Sequence, residues 1–185
     1  MSPYEFFLVL FCDELIEQLV FQTNLYATQK GKTFKSVTKD KMLVFLAKNI
    51  LIEIKKPHSY RDCWSSHEEL RDEYISSLMS PNRFGWLLSN LHVNDNSVMP
   101  QRGSPNYDKL YKIRPLIEFL KNTFKENYAP TKNQSESIVK FKGRISYKQY
   151  MHKKPIKRGY KIWLRADKLG YVCDFRFTQA GVRIR

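Results

Sequence analysis

Behind Ser2-Pro3-Tyr4-Glu5, apolar residues recur at Phe6, Phe7, Leu10, Phe11, Leu15 and Leu19. The leader has the form of a capping box with proline at the first helical position, and the spacing predicts one helix running through Leu19. A second helix is predicted from near Thr38 to just before Pro57, burying Leu43, Phe45, Leu46, Ile50 and Ile54. Ser66 followed by Glu69 reads as another capping box, ahead of a short helix carrying Leu70 and Tyr74. Ser80-Pro81 repeats the serine-then-proline start and leads into Phe84, Leu87, Leu88 and Leu91, until Asn94-Asp95-Asn96 breaks the pattern. A last helix is predicted from about Tyr107 to Tyr128, with Leu110, Ile113, Ile117, Leu120 and Phe124 on one side and Pro115 as a kink. Stripes this broad face a core, so this part of the chain reads as an α-helical bundle.

From Ser135 the period changes from helical to alternating. Ser137, Val139 and Phe141 alternate with Glu136, Ile138, Lys140 and Lys142, and Gly143 supplies a bend. Gly159 to Ala166 reads as a second strand. Asp167-Lys168-Leu169-Gly170 reads as a turn, and Tyr171, Cys173, Phe175 and Phe177 as the apolar face of a third strand. Helices followed by strands give an α/β chain of 185 residues, divided near residue 135.

Charge sharpens that division. The net charge is +14, yet residues 1–136 hold 18 basic and 16 acidic side chains, whereas residues 137–185 hold 14 basic ones against Asp167 and Asp174. A cationic final quarter fits a polyanion, nucleic acid before an anionic membrane surface. Within it Tyr147, Lys148, Tyr150, Lys153, Lys154, Lys157 and Arg158 mix long cations with aromatic rings. That mixture suits phosphate and base contacts, or else an exposed hairpin whose rings cover the sheet.

Other chemistries find no footing. The longest apolar runs, Phe6 to Cys12 and Met42 to Ala47, fall far short of the roughly 20 residues of a bilayer span. Glu5 and Asp13-Glu14 sit where a signal peptide needs a basic start and small residues, so an intracellular protein is expected. Cys12, Cys63 and Cys173 are widely spaced and form neither a disulfide framework nor a zinc motif. His58, His67, His92 and His152 show no metal-ligand spacing, and no glycine-rich phosphate loop occurs. No cofactor is expected.

The order of several segments is specific: Ser2 to Phe7, Asp13-Glu14-Leu15, Thr23 to Ala27, Pro57 to Ser65, Met79 to Phe84, Leu91 to Asn96, Lys112 to Leu116, Phe141 to Arg144, Lys148 to Met151 and Lys153 through Lys161. With these the chain resembles the transposase domain of piggyBac transposable element-derived proteins, a branch of the DDE recombinases. The resemblance implies a helical dimerisation and DNA-binding-like region over 1–134, the first antiparallel strands of an RNase H-like core over 135–178, and a divergent tail over 179–185.

It also implies a site. Family members hold two divalent metals on three aspartates, and the first aspartate precedes the Phe-Lys-Gly-Arg motif on the first core strand. Here Ser135 occupies that place, a neutral hydroxyl where Mg²⁺ wants an anionic oxygen. Glu136 is adjacent, and neighbouring residues on a strand point to opposite faces. The other two aspartates are expected beyond Arg185; Asp167 reads as a turn residue and Asp174 as a polar-face residue. The expected function is therefore a catalytically incomplete DNA-binding protein of the nucleus, with no catalytic or metal residues. Phosphate contacts are expected from Lys140, Lys142, Arg144, Lys148, Lys153, Lys154, Lys157, Arg158 and Lys161. The alternatives are an oligomerisation module, pairing with itself or with a full-length transposase, and a fragment without function. An active transposase ranks last, and no membrane partner is expected.

Overall fold

In the computed structural model, residues 2–127, 133–140, 149–166 and 170–177 are described, with the side chains of 133–138 left aside. Predicted features at Phe141, Lys142, Gly143, Arg144, Tyr147, Lys148, Asp167, Lys168 and the tail 179–185 lie outside them. Two compact units divide the chain, Met1–Ile117 and Glu118–Arg185.

The first unit opens with α1 (Pro3–Leu10), started by the Ser2 and Glu5 capping box. The single helix expected here is two, because α1 ends at Phe11 and α2 (Asp13–Gln29) starts anew after extended Cys12. The acids at Asp13 and Glu14 account for the restart, since carboxylates in a first turn face unsatisfied backbone N–H groups. Leu15, Ile16 and Leu19 are buried, whereas Phe6 is 62% exposed.

Thr38 caps α3 (Lys39–Lys55), which stops where Lys56 turns left-handed ahead of Pro57, so this helix stands as predicted. Its buried face differs. Met42, Phe45 and Lys48 point inward, while Ile50 and Ile54 are exposed, which amounts to a rotation of the stripe toward positions spaced by three. The box at Ser66 starts no helix. Ser59 and Asp62 form the box that operates here, on the 3₁₀ turn Tyr60–Trp64, and α4 (Glu73–Leu78) begins under Asp72. Ser80 caps α5 (Pro81–Asn90) as expected. A 3₁₀ turn, Tyr111–Ile113, precedes α6 (Arg114–Asn127). Pro115 starts that helix instead of kinking it, since a first-turn proline gives up an N–H with no helical partner.

The core gathers Ile16, Leu19, Val37, Met42, Phe45, Met79, Phe84, Leu87 and Val93. Phe84 is its aromatic hub, with the rings of Phe45, Tyr60 and Trp64 at centroid distances of 5.3, 5.5 and 5.6 Å. A long-range clip fixes the connection between α2 and α3. The Asn24 carboxamide donates to the Val37 carbonyl (2.9 Å) and accepts from the Val37 N–H (2.8 Å). Arg83 donates to the carbonyls of Lys35 (2.7 Å) and Ser36 (3.1 Å).

In the second unit β1 (Asn133–Lys140), β2 (Gln149–Tyr150), β3 (Arg158–Ala166) and β4 (Val172–Phe177) form one antiparallel sheet with β3 pairing all the others. The three expected strands are present. The two-residue β2 was not foreseen, being too short to show a period. Ile162 faces Phe177 across the ladder and Leu164 faces Phe175, and the Tyr160 ring meets Phe177 edge-on. Phe124 of α6 packs edge-on against Tyr171 and Phe175. Gly170, at φ 90°, sits just ahead of β4, where a side chain would be strained.

Candidate nucleic-acid interface

Gly159 is the meeting point of three strands, opposite Lys140 on β1 and Gln149 on β2, while Arg158 lies opposite Tyr150. Two backbone bonds, from the Met151 N–H to the Lys157 carbonyl (2.9 Å) and from the Lys154 N–H to the Met151 carbonyl (3.2 Å), close the β2–β3 connection. Residues far apart in the chain thus reach one end of the sheet. Lys140, Lys153, Lys154, Lys157 and Arg158 are all exposed there. Among the described residues no carboxylate pairs with any of them. Lys161 stands further along β3, its ammonium 4.3 Å from the centre of the Trp163 ring. Lys142, Arg144 and Lys148, expected alongside, fall outside the described residues.

Tyr150 bears on the two readings that the sequence left open for this stretch, base contact or a cover for the sheet. The residue is 64% exposed, with the Arg158 guanidinium 5.7 Å from its ring centre. Its ring therefore does not serve as a cover for the sheet. The pairing of Tyr150 with Arg158 had no signal in the sequence, because it depends on strand register.

Ser135 and Glu136 occupy successive positions of β1, opposite Leu164 and Trp163. Asp174 on β4 accepts from the Phe175 N–H (2.9 Å) and lies 3.9 Å from both the Lys121 ammonium and Arg176. Its carboxylate is thus turned toward cations of the protein. Among the described residues no three His, Cys, Asp or Glu side chains gather where they would hold a metal ion. No helix among them is long and apolar enough to cross a membrane. His92, without chemistry in the sequence, stacks on Tyr26 with ring centres 3.4 Å apart, a packing role.

The architecture to be placed is a helical unit followed by a four-stranded antiparallel sheet. The fold matches a cryo-EM structure of the piggyBac transposase synaptic complex with hairpin DNA at a TM-score of 0.82 and 24% identity, covering 97% of this chain and 39% of that one. The family profile described as Transposase IS4 matches residues 2–182, and the chain belongs to this family of DDE transposases, in its piggyBac branch. It is 33% identical over 178 residues to PiggyBac transposable element-derived protein 3 of Homo sapiens, covering 95% of this chain and 29% of that protein. Against PiggyBac transposable element-derived protein 2 of Homo sapiens it is 28% identical over 182 residues, 97% of this chain and 30% of that protein. The chain spans under a third of the length of these relatives. The α/β expectation, with the first antiparallel strands of an RNase H-like core, is the fold of this branch.

Proposed function

We propose that the chain is a transposase-derived, catalytically incomplete protein that binds DNA through the cationic end of its sheet. The observation that carries this reading is the convergence of Lys140, Lys153, Lys154, Lys157 and Arg158 around Gly159. Long exposed cations at one edge neutralise phosphates and release counterions. The structural neighbour was itself solved with hairpin DNA, which favours the same partner class. Lys142, Arg144, Lys148 and Lys161 extend the proposed contact set, and a DNA partner favours the nucleus. The helical region 1–134, the partial core 135–178 and the tail 179–185 are the proposed division of labour.

Catalytic incompleteness rests on Ser135, which offers a neutral hydroxyl where the family's first metal-holding aspartate is expected. Those metals would activate an attacking oxygen and stabilise a leaving one. The donor set present does not fit them, and Asp174 is engaged with Lys121 and Arg176.

Measuring affinity for duplex DNA across a salt series tests the reading. With about five phosphate contacts the slope of log K against log salt is roughly −4.5; absent or salt-independent binding overturns it. Strand nicking that depends on a divalent ion and disappears in Glu136→Gln would overturn the incompleteness. A second reading, an oligomerisation module, draws on Ile50 and Ile54, one helical turn apart and 48% and 70% exposed on α3. Light scattering on the full chain separates them, a strict monomer counting against it.

A further inference from the structure

We propose that the open ring of Tyr150, backed by Arg158, stacks on an unpaired base, so that this end of the sheet prefers DNA carrying a single-stranded segment to a closed duplex. The inference rests on the DNA-binding reading above and adds the form of DNA that the site selects. A tyrosine left 64% exposed keeps a large aromatic surface in water. Arg158 stands 5.7 Å from the ring centre, and the pairing of Tyr150 with Arg158 across β2 and β3 fixes both at the base of the connection. The two backbone bonds close the same β2–β3 connection that carries the exposed Lys153, Lys154 and Lys157, and Ile156 adds exposed apolar surface within it. Ring and cations together form the combination that single strands use, in which bases stack on aromatic faces while lysines follow the phosphates.

Lysines alone do not distinguish the two forms of DNA, because both carry phosphates. The ring does. In a closed duplex each base face is already covered by its neighbours, and exposing one costs unstacking energy. A free strand or frayed end presents an open π-face at no such cost, and the stack is indifferent to base identity.

The test uses the full chain in fluorescence anisotropy at one salt concentration, with labelled oligothymidylate and a blunt duplex of matched length as probes. Tyr150→Ala is expected to weaken oligothymidylate binding about five- to hundredfold while leaving duplex binding within about twofold. Tyr150→Phe is expected to bind both like wild type, because stacking needs the ring and not the hydroxyl. Should Tyr150→Ala fail to match the wild-type circular dichroism spectrum, Tyr150→Leu, which keeps apolar bulk without a π-face, carries the same comparison. Replacing Lys153 and Lys154 by glutamine is expected to weaken both probes together. Equal losses on the two probes when the ring is removed, no loss on either, or a loss with Tyr150→Phe overturns the stacking role while leaving the DNA-binding reading intact. A wild-type chain that binds neither probe overturns both.

Discussion

Lys48 shows how far one side chain departs from what its type leads one to expect. It is fully buried on α3, its ammonium 3.2 Å from the Met79 carbonyl, 3.9 Å from the centre of the Trp64 ring and 5.2 Å from that of Phe84. Among the described residues no carboxylate pairs with it, and burial pushes its pKa down from 10.5 to about 8, against a smaller opposing effect of Cys63. The consequence for stability follows from proton counting. Below about pH 8 the amine is charged in both states, so the folded chain bears the full cost of desolvation. Between about 8 and 10.5 the unfolded chain holds more protons, and stability rises with pH. At 1.36 kcal/mol per pH unit that interval is worth about 3 kcal/mol, partly offset by the two ring faces, which favour the cation. Lys48→Met is therefore expected to raise stability at pH 7 by about 1–3 kcal/mol. The Met79 carbonyl keeps the Trp64 indole N–H as a donor (2.9 Å), so the substitution orphans nothing. Urea unfolding checks it, and the gap to wild type should narrow as pH climbs from 8 to 10.5. A variant less stable than wild type at pH 7 would show that the cation–ring contacts outweigh desolvation.

At the scale of elements, side chains acting on backbone decide where helices and connections stop. Asn24 satisfies both the N–H and the carbonyl of Val37, which a carboxamide can do because its donor and acceptor lie side by side on one planar group. Asn24→Ala is expected to cost about 1–3 kcal/mol and to free the connection before α3. Faster tryptic cleavage at Lys30, Lys32 and Lys35 is the readout. Asp72 does two jobs: it caps α4 by accepting from the Ile75 N–H (2.9 Å), and it pairs with Lys55. The Ile75 bond first, and then Lys55, hold its carboxyl below the ordinary 3.8. Its contribution is thus complete above that value and is lost as pH falls through the lower, folded one. Asp72→Ala is expected to cost about 1 kcal/mol at neutral pH. Asp72→Asn should keep most of the cap and flatten the acid side of the stability curve, measured by thermal melts between pH 5 and 2. These contacts also mark what the sequence could reveal. Caps that act within four residues, at Ser2, Thr38 and Ser80, were legible, as were the strands whose alternation runs long enough to count. The Ser66 box was a false start: the same serine-to-carboxylate spacing occurs at Ser59 with Asp62, where the box operates, and local pattern does not rank the two. The Asn24 clip, the Arg83 fork and the burial of Lys48 join segments distant in the chain, so no local period reports them.

For the molecule as a whole, charge is divided more sharply than structure. Residues 1–117 carry 15 basic and 13 acidic side chains, and residues 118–185 carry 17 and 5, so the second unit holds a net +12 of the total +14. The candidate site was legible as composition, since the lysines and arginine were countable. Their gathering at Gly159 was not, because it follows from β1 and β2 both pairing with the start of β3. If that end of the sheet meets the phosphates, replacing Lys153, Lys154 and Lys157 with glutamine removes three contacts. The salt slope should then fall by about 2.7, at roughly 0.9 per phosphate on duplex DNA, and affinity should drop alike for every duplex sequence. The matched control lies in the first unit, where Lys32 and Lys35 are exposed on the connection clipped by Asn24. Replacing both with glutamine lowers net charge by 2 without touching the sheet end, so the slope should stay at its wild-type value. Flattening in proportion to the charges removed, by about 2.7 in the triple variant and about 1.8 in the control, would mean that DNA reads net charge spread over the chain. A change confined to the triple variant would assign the contact to the end of the sheet.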